Sequence, residues 1–319
     1  MSTAHVFTVD HEHGGERLDV YLSQVMPDVT RSYAKKLIDE GRVRVADEMA
    51  RPARRVRAGE TVTVEVPPPR LAQAHPEQLP LDIVYEDADM VVVNKARGMV
   101  VHPAAGNYQG TLVNALLYHC PGLAAINDTI RPGIVHRLDK DTTGLMVVAK
   151  NQRAHQELAK QIKDRRALRK YLALVHGVPS PRRGEVDAPI GRHPVYRKKM
   201  AVVPGGKNSV TRYEVQEELG RFALVRAELV TGRTHQVRVH MAHLGHPVAA
   251  DPVYGGRSGT LGLEGQALHA CYLGLSHPGN GEWLEFDAPL PQDFQWALDV
   301  LRARCQREGC NREENAHAR

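Results

Sequence analysis

The sequence predicts an α+β protein: a small α/β domain over residues 17–66, then a larger domain over 81–300 on a mainly antiparallel or mixed sheet. Three observations lead there. The chain has 319 residues, enough for two domains that each bury a core. Pro67, Pro68 and Pro69 stop any central strand, which makes residues 67–80 a linker. Beyond it, strands and helices mix without a regular βαβ period, and several strands follow one another across short turns.

Leu18, Leu22 and Val25, then Ala34, Leu37 and Ile38, recur at helical spacing and predict two short helices. Thr30 or Ser32 can cap the second, and Gly41 sits where a helix end wants a left-handed residue. Val43–Val45 and Thr61–Val66 alternate as strands. In the larger domain the strand candidates are Met90–Asn94, Leu145–Ala149, Tyr171–His176 and Ala223–Val230. Thr111 caps a helix through His119, and Asn151 caps a longer one through Asp164. Residues 301–319 read as a charged tail, a fraying helix ending in disorder.

Composition narrows the function classes. With 42% hydrophobic and 25% charged residues the chain is globular and not disordered. Lys and Arg number 42 against 37 Asp and Glu, a net charge of +5 that suits a polyanionic partner. The polar N-terminal stretch has no signal-peptide core and no run is long and apolar enough for a membrane span, so a cytoplasmic protein is expected. The four cysteines lack CxxC spacing and read as reduced, mostly buried thiols. Aromatic residues are only 5%, so any base stacking must rest on one or two side chains.

In the small domain Arg31 and Lys35 lie around a helix start, with Arg17 and Arg42 nearby, so cations and backbone N–H groups can converge on phosphates. A charged run is more often only a solvated face. The order Arg17-Leu-Asp19, then Thr30-Arg31-Ser32 before a helix, then Gly41-Arg-Val43-Arg-Val45, resembles the small RNA-binding domain first recognised in ribosomal protein S4. That resemblance implies RNA contacts from Arg17, Arg31, Lys35 and Arg42. Ala46-Asp47 stands where Asn-Gly is usual, which weakens the hairpin signal.

The string Gly133-Ile-Val-His-Arg-Leu-Asp-Lys-Asp-Thr-Thr-Gly-Leu-Met-Val-Val-Ala-Lys150 sets a carboxylate among cations at the edge of an apolar strand. Such a carboxylate can serve as nucleophile or general base, or it can belong to an ion-pair network stitching a loop to a sheet. The string resembles the HRLDxxTSG signature of the RluA family of pseudouridine synthases, with Thr143 for the usual Ser. Further matches follow in the family's order: Val91–Gly98, Lys170–Gly177, Gly232–His240, His243–Pro247, Asp251–Gly255 and Ala267–Ala270. Ala250 stands before Asp251 where Gly is common.

The resemblance implies a pseudouridine synthase acting on large-subunit ribosomal RNA, possessing no cofactor and no metal. It makes Asp139 the catalytic residue, Arg137 the side chain that helps hold the target nucleotide out of its helix, and Tyr171 the residue stacked on the uracil. It also makes Arg233 the arginine that pairs with Asp139. Leu268 is expected as an apolar floor near the base. Thr234 is the expected N-cap of a short helix with Val237, Met241 and Leu244 on one face and Gly245 as terminator. His235, His240, His243 and His246 lack a metal-ligand pattern and are read as structural or RNA-facing. A monomer bound to ribosomal RNA, and to the assembling subunit, is expected. Two other readings stay open at this point: a non-catalytic RNA-binding protein of ribosome assembly, and a sibling synthase acting on tRNA.

Overall fold

The computed structural model describes residues 3–26, 29–51, 53–66, 74–103, 107–125, 132–197, 199–255 and 260–317. Contacts divide the chain into Met1–Leu71 and Ala72–Arg319. Residues 67–73 of the expected linker, with its three prolines, lie outside the described residues.

The first unit comprises β1 (Thr3–Thr8), α1 (Leu18–Val25), α2 (Arg31–Asp39), β2 (Val43–Val45), β3 (Glu48–Met49) and β4 (Thr61–Val66). Its antiparallel sheet has the order β1-β4-β2-β3. Val62 and Val64 of β4 pack with Leu18, Leu22, Leu37 and Ile38, as their spacing predicts. Thr30 Oγ1 accepts from the Tyr33 amide at 3.2 Å and caps α2. The unit starts earlier than Arg17, because β1 completes the sheet edge by pairing with β4 from Thr3↔Val66 to Thr8↔Thr61. Only Phe7 and the following Val9 contribute to its core, too few apolar positions to mark a strand in the sequence.

The β2–β3 hairpin forms without Asn-Gly. Val45 pairs with Glu48, and Ala46 and Asp47 both take left-handed backbone, at φ 51° and 65°. That is the two-residue turn whose hand suits a twisted hairpin, and the pairing of β2 with β4 enforces it on residues that do not favour it. Asp47→Gly should therefore stabilise the unit by about 1 kcal/mol in a urea titration.

Asp19 ties the two helices. Arg17 donates to it through Nε and Nη2 at 3.0 and 3.2 Å, and Arg31 through Nε at 3.0 Å. The Arg17 hydrogen bond, aided by that of Arg31 and opposed by burial, pulls the carboxyl down to about 2. The folded form thus loses its proton at lower pH than the unfolded chain. Its stabilisation is complete above pH ~4 and disappears as pH falls through about 2. Both arginines reach solvent, so Asp19→Asn should cost about 1 kcal/mol at pH 7 and little at pH 2, measured by calorimetric melting at both values.

The second unit comprises β5 (Ile83–Glu86), β6 (Met90–Lys95), α3 (Leu112–His119), β7 (Thr143–Ala149), α4 (Gln152–Lys163), β8 (Leu168–His176), β9 (Arg183–Asp187), β10 (Ile190–Arg192), β11 (Met200–Val202), β12 (Val210–Leu219), β13 (Phe222–Leu229), α5 (Gln236–His243), β14 (Leu268–Ser276), β15 (Trp283–Asp287) and α6 (Gln292–His317), with two short 3₁₀ turns. Nine strands form one mixed sheet in the order β5-β6-β7-β14-β8-β13-β12-β9, with β15 also on β14. Its one parallel pairing joins β7 to β14, while β10 and β11 form a separate hairpin. Every residue of β7 is buried, and alternate residues face two cores. Met146 and Val148 pack with α3, and Leu145, Val147 and Ala149 with α4.

Local signals start the helices where the sequence places them. Thr111 and Asn114 form a reciprocal cap on α3, and the Asn151 side chain accepts from the Ala154 amide at 2.9 Å to begin α4. The helical part of the tail expected from residue 301 continues α6, which is anchored through Phe294, Ala297, Leu298 and Leu301 at helical spacing. Cys120 is a buried free thiol, and Cys271 and Cys305 are half-buried ones. No described helix is long and apolar enough to cross a membrane.

Candidate active site

A cleft of about 480 Å³ opens in the second unit where three segments converge. Residues 134–139 lead towards β7, Arg169 and Tyr171 project from alternate positions of β8, and residues 229–238 run from β13 into α5. Asp139, Arg137, Tyr171, Leu268 and Arg233, all chosen from the sequence, line it together.

The Asp139 loop is held by the close approach of β7 to β14. Gly144 has φ +110°, and a Cβ there would lie 2.3 Å from the Ala270 carbonyl oxygen, so the parallel register His269↔Thr143 admits only glycine beside it. Thr143 Oγ1 meets His269 Nδ1 at 2.8 Å, giving the hydroxyl a buried partner. Three further contacts pin the loop backbone and the Thr142 side chain. Lys95 Nζ donates to the Lys140 carbonyl at 3.0 Å, Arg97 Nη1 to the Asp141 carbonyl at 2.8 Å, and Gln266 Nε2 to Thr142 Oγ1 at 3.0 Å. Lys95 also donates to the carbonyls of Ala96 and Met99, which satisfies a buried ammonium completely. Burial pushes that amine down to about 7, opposed by the charges of Asp141 and Asp139.

The expected partner of Asp139 is not its partner here. Arg238, on the first turn of α5, donates from Nη1 to Asp139 Oδ2 at 2.9 Å and grips Asp251 through Nε and Nη2 at 2.6 and 2.9 Å. Arg233 is exposed and donates from Nε to the Asn208 carbonyl at 3.1 Å. The physical reason is the helix start. Gln236 Oε1 accepts from the Arg233 and Thr231 groups at 2.9 and 2.8 Å, which folds residues 231–235 outward and leaves Arg238 facing Asp139. Thr234 is not the N-cap, a place taken by His235 in left-handed backbone at φ 58° with no side-chain cap. Gly245, at φ +84°, ends the segment as expected.

Around this pair, Asp251 is completely buried and also accepts from the amides of Val253 and Tyr254. Ala250 before it is left-handed at φ 56°, the conformation for which glycine is common. The Arg238 guanidinium lies 5.3 Å from the Tyr254 ring centre, and ion pairing with two carboxylates overcomes its burial and keeps it charged. His235 Nε2 stands 3.8 Å from Asp139 Oδ1, the oxygen not bound by Arg238, and its Nδ1 is 3.0 Å from the Tyr254 hydroxyl. Burial pushes the His235 imidazole down, against the pull of Asp139. Tyr171 is buried, and burial pushes its phenol up to about 12, so it carries its proton at neutral pH.

Sequence reasoning missed Arg238, Asp251, Tyr254, Lys95 and Arg169. Each sits in a segment that drew attention, yet only chain folding decides which of two arginines in Arg233-Thr-His-Gln-Val-Arg238 meets a carboxylate 99 positions away. In the first unit, Arg17 and Arg31 are bound to Asp19, Arg42 Nε donates to Glu40 at 3.1 Å, and Lys35 is exposed. Among the described residues one set of possible metal ligands comes together, Glu86, His119 and Cys120, outside the cleft lining. Glu86 already pairs with Lys150 at 2.7 Å and meets His119 at 2.8 Å, and the hydrogen bond from Lys150, aided by that to His119, pulls its carboxyl down to about 2.

The family model for RNA pseudouridylate synthases matches residues 89–243, and that for the S4 domain matches residues 16–62. An uncharacterized RNA pseudouridine synthase, YlyB, of Bacillus subtilis is 48% identical over 92% of this chain and 97% of its own. The chain belongs to the RNA pseudouridine synthase family. It is an enzyme of that class, joined to an S4 domain. A protein named ribosomal large subunit pseudouridine synthase D, from Pseudomonas aeruginosa, is 46% identical over 92% of this chain and 94% of that one. The solved structure of human RNA pseudouridylate synthase domain containing 4 is 31% identical, with a TM-score of 0.56 over 69% of this chain and 93% of that one.

The two arginines of this synthase should separate cleanly. Arg238→Lys cannot grip Asp251 with two nitrogens while reaching Asp139, so turnover should fall by about a hundredfold or more and the melting temperature should drop. Arg233→Lys should retain turnover within about threefold, since its guanidinium touches no carboxylate in the cleft. Tritium release from uracil-labelled transcript and a thermal melt measure both effects.

Proposed function

We propose that this enzyme converts specific uridines of large-subunit ribosomal RNA to pseudouridine, with Asp139 as the catalytic carboxylate. The observation that carries the reading is the split environment of Asp139: Oδ2 is bound by a buried arginine, while Oδ1 lies 3.8 Å from His235 Nε2 in the cleft. One oxygen is thereby oriented and the other is available to the sugar.

The reaction breaks the bond between uracil N1 and ribose C1′ and forms one from C5 to C1′, and the proton of C5 is replaced by one on N1. Substrate and product are isomers, so no co-reactant is consumed. The glycosidic bond is inaccessible inside a base stack, so the target nucleotide must leave its helix. Arg137, exposed at the cleft mouth, is positioned to hold the vacated place, and Leu268 and Tyr171 offer an apolar and an aromatic surface for uracil. The protonated Tyr171 phenol can donate a hydrogen bond to the rotating base.

Relatives named for the ribosomal large subunit, and the S4 match over residues 16–62, support ribosomal RNA as the substrate; that the enzyme acts as a cytoplasmic monomer is part of the same proposal. Asp139→Asn keeps shape and loses the carboxylate. It should reduce tritium release from a 23S ribosomal RNA transcript by more than about a thousandfold with RNA affinity nearly unchanged. Turnover within tenfold of wild type would remove Asp139 from the reaction.

A further inference from the structure

The cleft holds a cation that no described carboxylate balances. Arg169 is only 6% exposed and lines the cleft on β8, two residues before Tyr171. Its Nε is buried and has no hydrogen-bond partner. Among the described residues no carboxylate pairs with it, and Asp139, the one acid lining the cleft, is committed to Arg238. A buried guanidinium without a counter-charge is costly, because burial removes its hydration and nothing replaces it.

The surroundings are built to keep it there. Gly232 is exposed, but a Cβ on it would lie 2.8 Å from Arg169 Nη1, so the loop leaves a slot that the guanidinium fills. His136 beside it adds no charge, since burial and the charge of Arg169 push its imidazole down to about 3, and its Nε2 accepts from the Val147 amide. The rim carries more cations. Lys163 and Arg165 at the end of α4 and Arg233 opposite are all exposed and all line the cleft. Arg165 takes left-handed backbone at φ 61°, a strained place for arginine at a helix end where glycine is usual.

We propose that Arg169 is a phosphate subsite of this cleft, a fork that binds a backbone phosphate of the RNA strand beside the nucleotide presented to Asp139. A planar guanidinium with free donors matches two phosphate oxygens, and the ligand's charge supplies what the empty cleft lacks. Lys163, Arg165 and Arg233 at the rim guide the strand towards it. The assignment rests on the proposed function for the identity of the RNA, and it makes Arg169 a binding residue, distinct in role from Asp139.

The test is Arg169→Met in the full chain, with Arg169→Lys beside it, measured by binding to a 23S ribosomal RNA transcript across a salt series and by melting of the free protein. Arg169→Met should weaken binding about tenfold and reduce the slope of log affinity against log salt by about one, because one phosphate contact is lost. The free protein should melt at the same or a higher temperature, since an unbalanced buried charge is gone. Arg169→Lys should keep the slope and recover part of the affinity. An unchanged slope in Arg169→Met overturns the proposal whatever the melting temperature does, and a loss confined to turnover would mean that the guanidinium touches uracil instead. Tritium release by the wild-type enzyme reports separately on the isomerase reading. Its absence alongside a reduced slope would leave the phosphate subsite standing, and normal turnover with an unchanged slope would remove only the subsite.

Discussion

A single guanidinium, that of Arg238, ties together the segments around Asp139 in the second unit. It is 5% exposed and lies between Asp139 and the wholly buried Asp251, with the Tyr254 ring along its side. It joins a half-buried carboxylate to a fully buried one, and removing it would leave Asp251 without its ion pair. Asp251 in turn organises its own turn through the amides of Val253 and Tyr254, and the chain accepts a left-handed alanine at 250 to deliver it. Strain is tolerated there because the ion pair over-determines the geometry.

The rest of the Asp139 loop is held mostly through its backbone. Carbonyls of residues 140 and 141 are taken by Lys95 and Arg97, which come from the end of β6 and the turn after it. Because these contacts go to carbonyls, they leave the Arg137 and Asp139 side chains lining the cleft, where Arg238 takes one oxygen of Asp139. The parallel contact of β7 with β14 brings Leu268 to the same place, and Gly144 makes that contact possible. A sheet that is antiparallel almost throughout thus uses its one parallel pairing to seat the loop.

The cleft is also electrostatically incomplete. Five cations besides Arg238 line it, Arg137, Lys163, Arg165, Arg169 and Arg233, against the one carboxylate already paired. A polyanion completes such a surface, and the cost of keeping it open falls on the free protein. The first unit divides its charge differently. Arg17 and Arg31 stabilise its two helices through Asp19 while keeping part of each guanidinium in solvent.

How much was legible in the sequence depended on how local the cause was. Caps at Thr30, Thr111 and Asn151 and the glycine after α5 act within a few residues, and they stand where the sequence places them. The alternation in β4 and the all-apolar run of β7 likewise announce a half-buried and a central strand. Two features that local signals did not announce have long-range causes. β1 is a strand because β4 offers it an edge, and the Ala46-Asp47 turn takes its hand from the pairing of β2 with β4. The sequence by itself determined the family, its two domain types and five of the side chains lining the cleft, because those reside in ordered motifs and in local periodicity. Only the tertiary structure decided that Arg238 and not Arg233 holds Asp139, and that Arg169 Nε is buried with no hydrogen-bond partner among the described residues. Both depend on which side chains face each other across the cleft, and that follows from sheet order and from the outward fold of residues 231–235, not from neighbours along the chain.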